Sequence, residues 1–183
     1  MKLDYTHFKD LILFEPTVYE DHRGYFFESM NFQKLVDMGM DPEIKFVQVN
    51  NSLSKPKVLR GMHFQKPPFA QDKLVRVIRG HVFDVAVDLR PESETFKHWA
   101  GVELSAENKK VFFIPKGFAH GFVVLGEEEA EFEYLVSNPY NKESDGGVAW
   151  NDEEIGIEWP VKDPILSEKD AALPLFKDLG KIF

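Results

Sequence analysis

The densest run of polar side chains is Gln48-Val49-Asn50-Asn51-Ser52, and Leu59-Arg60-Gly61-Met62-His63-Phe64-Gln65 follows it closely. Side chains alternate across a strand, so Gln48, Asn50 and Ser52 share one face of the first segment. By the same rule Arg60, Met62 and Phe64 share a face of the second, and His63 points the other way unless a bulge at Gly61 re-aims it. Two amides and a hydroxyl on one face are costly inside a core unless something hydrogen-bonds them. A barrel lumen that holds a polar ligand meets that demand, and so does a solvated outer face; spacing alone leaves both open. An imidazole suits proton transfer near neutral pH, although a lone histidine is more often structural.

Metal binding is the competing chemistry for the histidines. Metal-holding cupin barrels carry a His-x-His pair, a downstream Glu and a further His in a Pro-x-Gly-x-x-His turn. Pro115-Lys116-Gly117-Phe118-Ala119-His120 fits the last element, but His63 is followed by Phe64 and Gln65, so the first is missing. Two histidines without clustered carboxylates make a poor transition-metal site, and no metal is expected. The chain has no cysteine, which removes thiolate ligands, Cys nucleophiles and disulfides together.

Such groups need a scaffold, and the chain is long enough to supply one. Its 183 residues, 43% of them hydrophobic, point to a single domain over 1–183 with a sizeable core. The 17 Phe suit strand packing better than a helical bundle. Strands are predicted over 12–19 and 25–29, a short helix over 31–39, then strands over 45–53, 57–64, 73–79, 81–89, 97–104, 110–114, 118–125 and 129–137. Within 82–89, Phe83, Val85, Val87 and Leu89 share one face, and Asp84 and Asp88 share the other with Val82 and Ala86. Arg79-Gly80 and Pro115-Lys116-Gly117 mark tight reversals. Many short strands at near-regular spacing mean a sandwich or barrel, with its core over about 45–140. From about residue 139 the tail reads as irregular, with a helical turn at Glu168–Ala171.

The net charge of −9 argues against a nucleic-acid surface. It leaves room for a small anionic ligand, since Arg23, Arg60, Arg76, Arg79 and Arg90 supply local cations, although surface ion pairs account for such residues equally well. No basic segment leads into an apolar run at the N-terminus and no stretch has the length of a membrane span, so a cytoplasmic location and no membrane partner are expected.

Over essentially its full length the sequence resembles the dTDP-4-dehydrorhamnose 3,5-epimerase family. The matching blocks, in order, are Asp21-His22-Arg23-Gly24-Tyr25-Phe26-Phe27-Glu28, Gln48-Val49-Asn50, the segment from Leu59 to Gln65, and that from Lys73 to Gly80. They continue through Val82 to Arg90, Phe113 to Phe122, Gly156-Ile157-Glu158-Trp159-Pro160 and Leu166-Ser167-Glu168-Lys169-Asp170. The resemblance implies an all-β fold: a cupin-type barrel (double-stranded β-helix, or jelly-roll) with short peripheral helices. It implies a metal-independent epimerase without cofactor, acting on a dTDP-4-keto-6-deoxyhexose.

The resemblance also implies roles. His63 corresponds to the base, Asp170 to the carboxylate that orients it, Tyr134 to the acid on the opposite face and Lys73 to the cation beside the developing oxyanion. Asp84 is the fallback for the orienting role. Arg60, His120 and Lys169 correspond to substrate or phosphate contacts, with Gln48 and Asn50 beside them. Tyr140 corresponds to an aromatic that stacks on thymine, with Asp145 where the family has Glu. Arg23 and Glu28 correspond to residues that reach a neighbouring subunit's site, which implies a homodimer in which the N-terminal strands lie at the contact.

This chain departs from the family pattern after Tyr134, where it reads Leu135-Val136-Ser137-Asn138-Pro139-Tyr140, and His81 stands where Glu is common. The catalytic set is intact. Three readings remain open: the double epimerase, a mono-epimerase acting at C3 or C5 alone, and a non-catalytic sugar-binding cupin, which would be expected to lose His63 or Tyr134.

Overall fold

Alternating apolar residues and frequent reversals give a chain that is mostly strand. The computed structural model describes residues 1–180 and 182–183. Its strands are β1 (Ile12–Phe14), β2 (Val18–Asp21), β3 (Gly24–Phe27), β4 (Gln48–Ser54), β5 (Leu59–Gln65) and β6 (Lys73–Arg79). There follow β7 (His81–Asp88), β8 (Trp99–Ser105), β9 (Val111–Ile114), β10 (Phe118–Val124), β11 (Ala130–Val136) and β12 (Asp145–Gly147). Two short α-helices lie outside them, α1 (Phe32–Asp37) and α2 (Glu168–Ala171).

One five-stranded sheet runs β1-β9-β6-β11-β4 and a second runs β12-β5-β10-β7-β8; β2 and β3 form a separate hairpin. The two large sheets face each other in the jelly-roll arrangement of a cupin-type barrel. Val75, Val77, Phe112 and Phe132 from one sheet meet Val82, Ala86, Phe118 and Phe122 from the other in the lumen cluster. Burying each of these Val and Phe side chains stabilises by roughly 1.5–3 kcal/mol, so this cluster fixes the spacing of the sheets.

Each sheet has its outer face covered by a terminal segment. Leu35 of α1 and Met40 cover Ile12, Leu74 and Phe113 on the first. Ile155, Ile157, Trp159, Phe176 and Leu179 from the tail cover Met62, Phe64, Val85 and Trp99 on the second. The alternation expected in β7 holds, since Val82 and Ala86 join the lumen cluster while Val85 and Val87 join the outer one. Among the described residues, no helix is long and apolar enough to cross a membrane.

Two expectations are corrected. The strand expected over 12–19 is two strands, β1 paired with β9 and β2 paired with β3. Pro16 lies between them, and proline cannot donate to a ladder. The expected irregular tail contains β12, paired with β5 from Asp145–Gln65 to Gly147–His63. Gly146 and Gly147 give no alternation to read, yet they are required there: a Cβ on Gly147 would lie 2.5 Å from the Met62 carbonyl.

Candidate active site

The site begins at a bulge. Between the pairs His63–His120 and Arg60–Phe122, β5 runs one residue longer than β10. Gly61 adopts φ +127°, where side chains are strained, and a Cβ there would lie 2.6 Å from Gly121 Cα. The extra residue reverses the alternation. Met62 and Phe64 therefore pack on the outer face, while Arg60 and His63 both line a lumen cavity of about 280 Å³. The shared face expected for Arg60, Met62 and Phe64 is thus corrected, and the re-aiming of His63 is realised.

His63 Nε2 donates to Asp170 Oδ1 at 2.6 Å. Asp170 is placed by α2, whose N-cap Ser167 accepts from the Asp170 backbone N–H. Burial alone would raise the Asp170 carboxyl, but hydrogen bonds from His63 and the Ser167 region, together with the His63 charge, hold it below the usual carboxylate value. Asp84 does not take the fallback role. Both its oxygens face His120 Nε2, at 2.9 and 3.1 Å, so Asp84 serves the neighbouring imidazole.

Lys73, at the start of β6, is only 8% exposed. Burial pushes its ammonium down to about 8, against the opposing pull of Asp84 and Asp145. Its Nζ reaches the His63 carbonyl at 3.5 Å. Tyr134, on β11, lines the same cavity from the opposite sheet to His63. Burial raises its phenol, Arg60 opposing, so Tyr134 holds its proton through the neutral range.

Strand β4 settles the alternatives left by the polar run. Val49 and Leu53 point outward, 60% and 51% exposed, while Gln48, Asn50 and Ser52 are half-buried on the other face. Asn50 pairs with Tyr134 across the ladder, which places the polar face in the lumen. Gln48 donates to Asn50 at 2.6 Å, and Ser52 lines the cavity. Arg60 is held by Ser54 Oγ and the Leu53 carbonyl.

Lys169 and His120 also line the cavity. Lys169 pairs with Asp145, which also accepts from the Tyr140 hydroxyl at 3.1 Å, and the Tyr140 side chain is exposed. Arg23 and Glu28 are not brought to this cavity within the chain. Arg23 pairs with Asp21 at 2.6 Å in the hairpin, and Glu28 with Lys34 at 2.6 Å. The hairpin around Arg23 exposes Tyr19, Tyr25 and Phe26.

Sequence reasoning passed over Phe122 and Phe132, which stack at 4.3 Å and line the cavity. The signal was present, since Phe132 lies two residues from Tyr134 and shares its face.

The arrangement offers an oriented imidazole on one side, a protonated phenol on the other and a buried ammonium in the same space. That set can abstract a proton beside a carbonyl, stabilise the enolate and return a proton to the other face. Among the described residues, no group of three or more His, Asp or Glu side chains is placed to hold a metal ion.

Known proteins share this architecture. The family model described as dTDP-4-dehydrorhamnose 3,5-epimerase matches residues 5–178. The dTDP-4-dehydrorhamnose 3,5-epimerase of Salmonella typhimurium is 55% identical over 171 residues, 93% of this chain and 92% of that one. The crystal structure of the enzyme of that name from Elizabethkingia anophelis superposes with a TM-score of 0.88 at 52% identity, covering 94% of each chain. A dTDP-6-deoxy-D-glucose-3,5-epimerase from Legionella pneumophila, solved in complex with dTDP-4-keto-L-rhamnose, gives 0.86 at 45% identity, covering 92% of this chain and 89% of that one.

Proposed function

The chain belongs to the dTDP-4-dehydrorhamnose 3,5-epimerase family, and from that premise we propose that it inverts C3 and C5 of dTDP-4-dehydro-6-deoxy-D-glucose to give dTDP-4-dehydro-L-rhamnose. The observation that carries this reading is the approach of His63 and Tyr134 to one cavity from facing sheets.

The hydrogens on C3 and C5 are both alpha to the C4 carbonyl, so each can leave as a proton. His63, oriented by Asp170, takes that proton, and the electron pair flows into the carbonyl to give an enolate oxygen. Lys73 stabilises this charge, and its burial strengthens the attraction because water does not screen it. Tyr134 delivers a proton to the opposite face, which inverts the carbon. The overall change is redox-neutral and consists of proton transfers alone, so the residues suffice without metal or redox cofactor.

Arg60, His120 and Lys169 surround the part of the cavity suited to the sugar and its diphosphate, with Gln48 and Asn50 as neutral hydrogen-bonding partners. Tyr140 stacks on thymine, beside Asp145. Arg23 and Glu28 complete the site of a second copy of the chain, so the working unit is a homodimer. The exposed aromatic residues of the β2–β3 hairpin support that contact.

Incubating dTDP-4-dehydro-6-deoxy-D-glucose with the protein in D2O tests the reading. NMR should show deuterium at both C3 and C5 of the epimerised sugar. Exchange and inversion at one carbon alone would make the protein a mono-epimerase, and an unchanged sugar would remove the enzymatic reading altogether.

A further inference from the structure

Tyr140 stands in the segment that joins β11 to β12. Its side chain is largely exposed, so the place of its ring depends on the backbone beneath it. That backbone is gripped by Gln65, the last residue of β5, which is only 5% exposed. Gln65 Nε2 donates to the Pro139 carbonyl at 3.2 Å and to the Phe69 carbonyl at 2.7 Å. Its Oε1 accepts from the Asn141 N–H at 2.7 Å. One buried carboxamide therefore holds the chain on both sides of Tyr140.

We infer that Gln65 is a positioning residue for the nucleotide base: it sets the Tyr140 segment before ligand arrives, so that the ring meets the base already in place. The inference rests on the stacking role proposed for Tyr140.

The hydrogen bonds specify an amide and its orientation. A flipped carboxamide would set its oxygen against two carbonyls and its NH2 against an N–H. An apolar side chain of the same size would fill the space but leave the Pro139 and Phe69 carbonyls and the Asn141 N–H without this partner.

The rest of the segment is clasped in the same manner. Gln71 Nε2 donates to the Asn138 carbonyl and Asn138 Nδ2 to the Ala70 carbonyl, each at 2.7 Å. Further on, the Lys66 N–H donates to the Ser144 carbonyl at 2.8 Å. The far end of the tyrosine is held from β5 as well, because Asp145, which accepts from its hydroxyl, is the register partner of Gln65 on β12. Ordering a backbone costs entropy that a ligand must otherwise supply on binding. With these bonds made, the cost is met in the free protein.

Two measurements test this. Calorimetry with dTDP on the parent, Gln65→Met, Tyr140→Ala and the double variant reads the coupling between the two residues. Gln65→Met should weaken binding by ~5–30-fold, the ordering entropy of about one residue expressed as an affinity. In the Tyr140→Ala background the same change should have no effect, since no ring remains to be placed. An equal loss in both backgrounds would show that Gln65 supports only the fold and would overturn the inference, as would no loss in either. The second measurement needs no variant: NMR-detected hydrogen exchange of the Asn141 amide in the parent. That amide should be protected in the free protein, with little further protection from dTDP. Exchange at an open-loop rate until dTDP is added would overturn the inference even where Gln65→Met fails to fold. A Tyr140→Ala chain that binds dTDP as the parent does would instead sink the stacking reading, and the exchange result would still decide whether the segment is set in advance.

Discussion

His63 and Tyr134 enter the same cavity from opposite sheets, His63 from β5 and Tyr134 from β11. In the proposed roles of base and acid they would act on the two faces of a flat enolate, and substitutions should separate their work.

Tyr134→Phe keeps the base, the Lys73 cation and almost all of the packing. His63 can then form the enolate, trade its proton with solvent and return one to the original face. In D2O the variant should place deuterium in recovered, uninverted substrate while epimer formation falls by ~10²–10⁴, the usual worth of a positioned acid. His63→Ala should lose exchange and inversion together. Exchange that survives in His63→Ala but not in Tyr134→Phe would reverse the assignment.

Asp170→Asn should lower kcat by ~10²–10⁴, because an amide no longer favours the imidazolium that forms as the proton is taken. The same carboxylate affects stability. Its folded pKa lies below the ordinary 3.8, so the stabilisation it gives is present above that value and lost as pH falls through the folded one. Thermal melts from pH 6 down to roughly pH 2 should therefore show a smaller acid loss for Asp170→Asn than for the parent. Parallel curves would show that the His63–Asp170 contact contributes nothing to folding.

Arg23 and Glu28 form ion pairs within their own region and stay away from the cavity of their own chain. Mixing inactive Arg23→Ala and inactive His63→Ala chains under conditions of subunit exchange should restore one competent site per heterodimer. Verified heterodimers without activity would refute cross-subunit sites, and a monomer by light scattering would refute them more directly.

Tyr140 is 60% exposed, and its hydroxyl is held by Asp145. Tyr140→Ala should weaken dTDP binding by ~1–3 kcal/mol, the range for aromatic stacking on a nucleobase. Calorimetry that finds the parent's affinity in the variant would remove the stacking role.

Much of this architecture was legible because alternation in β7 and in the polar run of β4 reports directly on which residues share a face. The Asp84 face follows from period two alone. For β4, period two gives only the shared face of Gln48, Asn50 and Ser52, and the register of β4 on β11 puts that face in the lumen. Three features were not legible in that way. The direction of His63 depends on one extra residue at Gly61, and its register needs the partner strand to be seen. β12 is short and carries two glycines, so close backbone approach leaves no pattern of side chains. Which carboxylate serves which histidine is a tertiary matter: Asp84 and Asp170 were both candidates for His63, and only the spatial arrangement assigns Asp84 to His120. The shared face of Phe132 and Tyr134, by contrast, was open to inference from their spacing.

The contact between His63 and Asp170 spans 107 residues of sequence, and Asp170 arrives on the same tail that seals the outer face of the second sheet. A ribosome adding ~5–20 residues per second releases the barrel strands well before that tail. The growing chain therefore holds its reactive imidazole for several seconds without the group that orients it. Competence arrives last, together with the closing of the fold, and a polypeptide cut short before Ser167 would lose the orienting carboxylate and much of this outer cover at once. With His63 and Asp170 in the proposed roles, completion of the fold and onset of catalysis coincide.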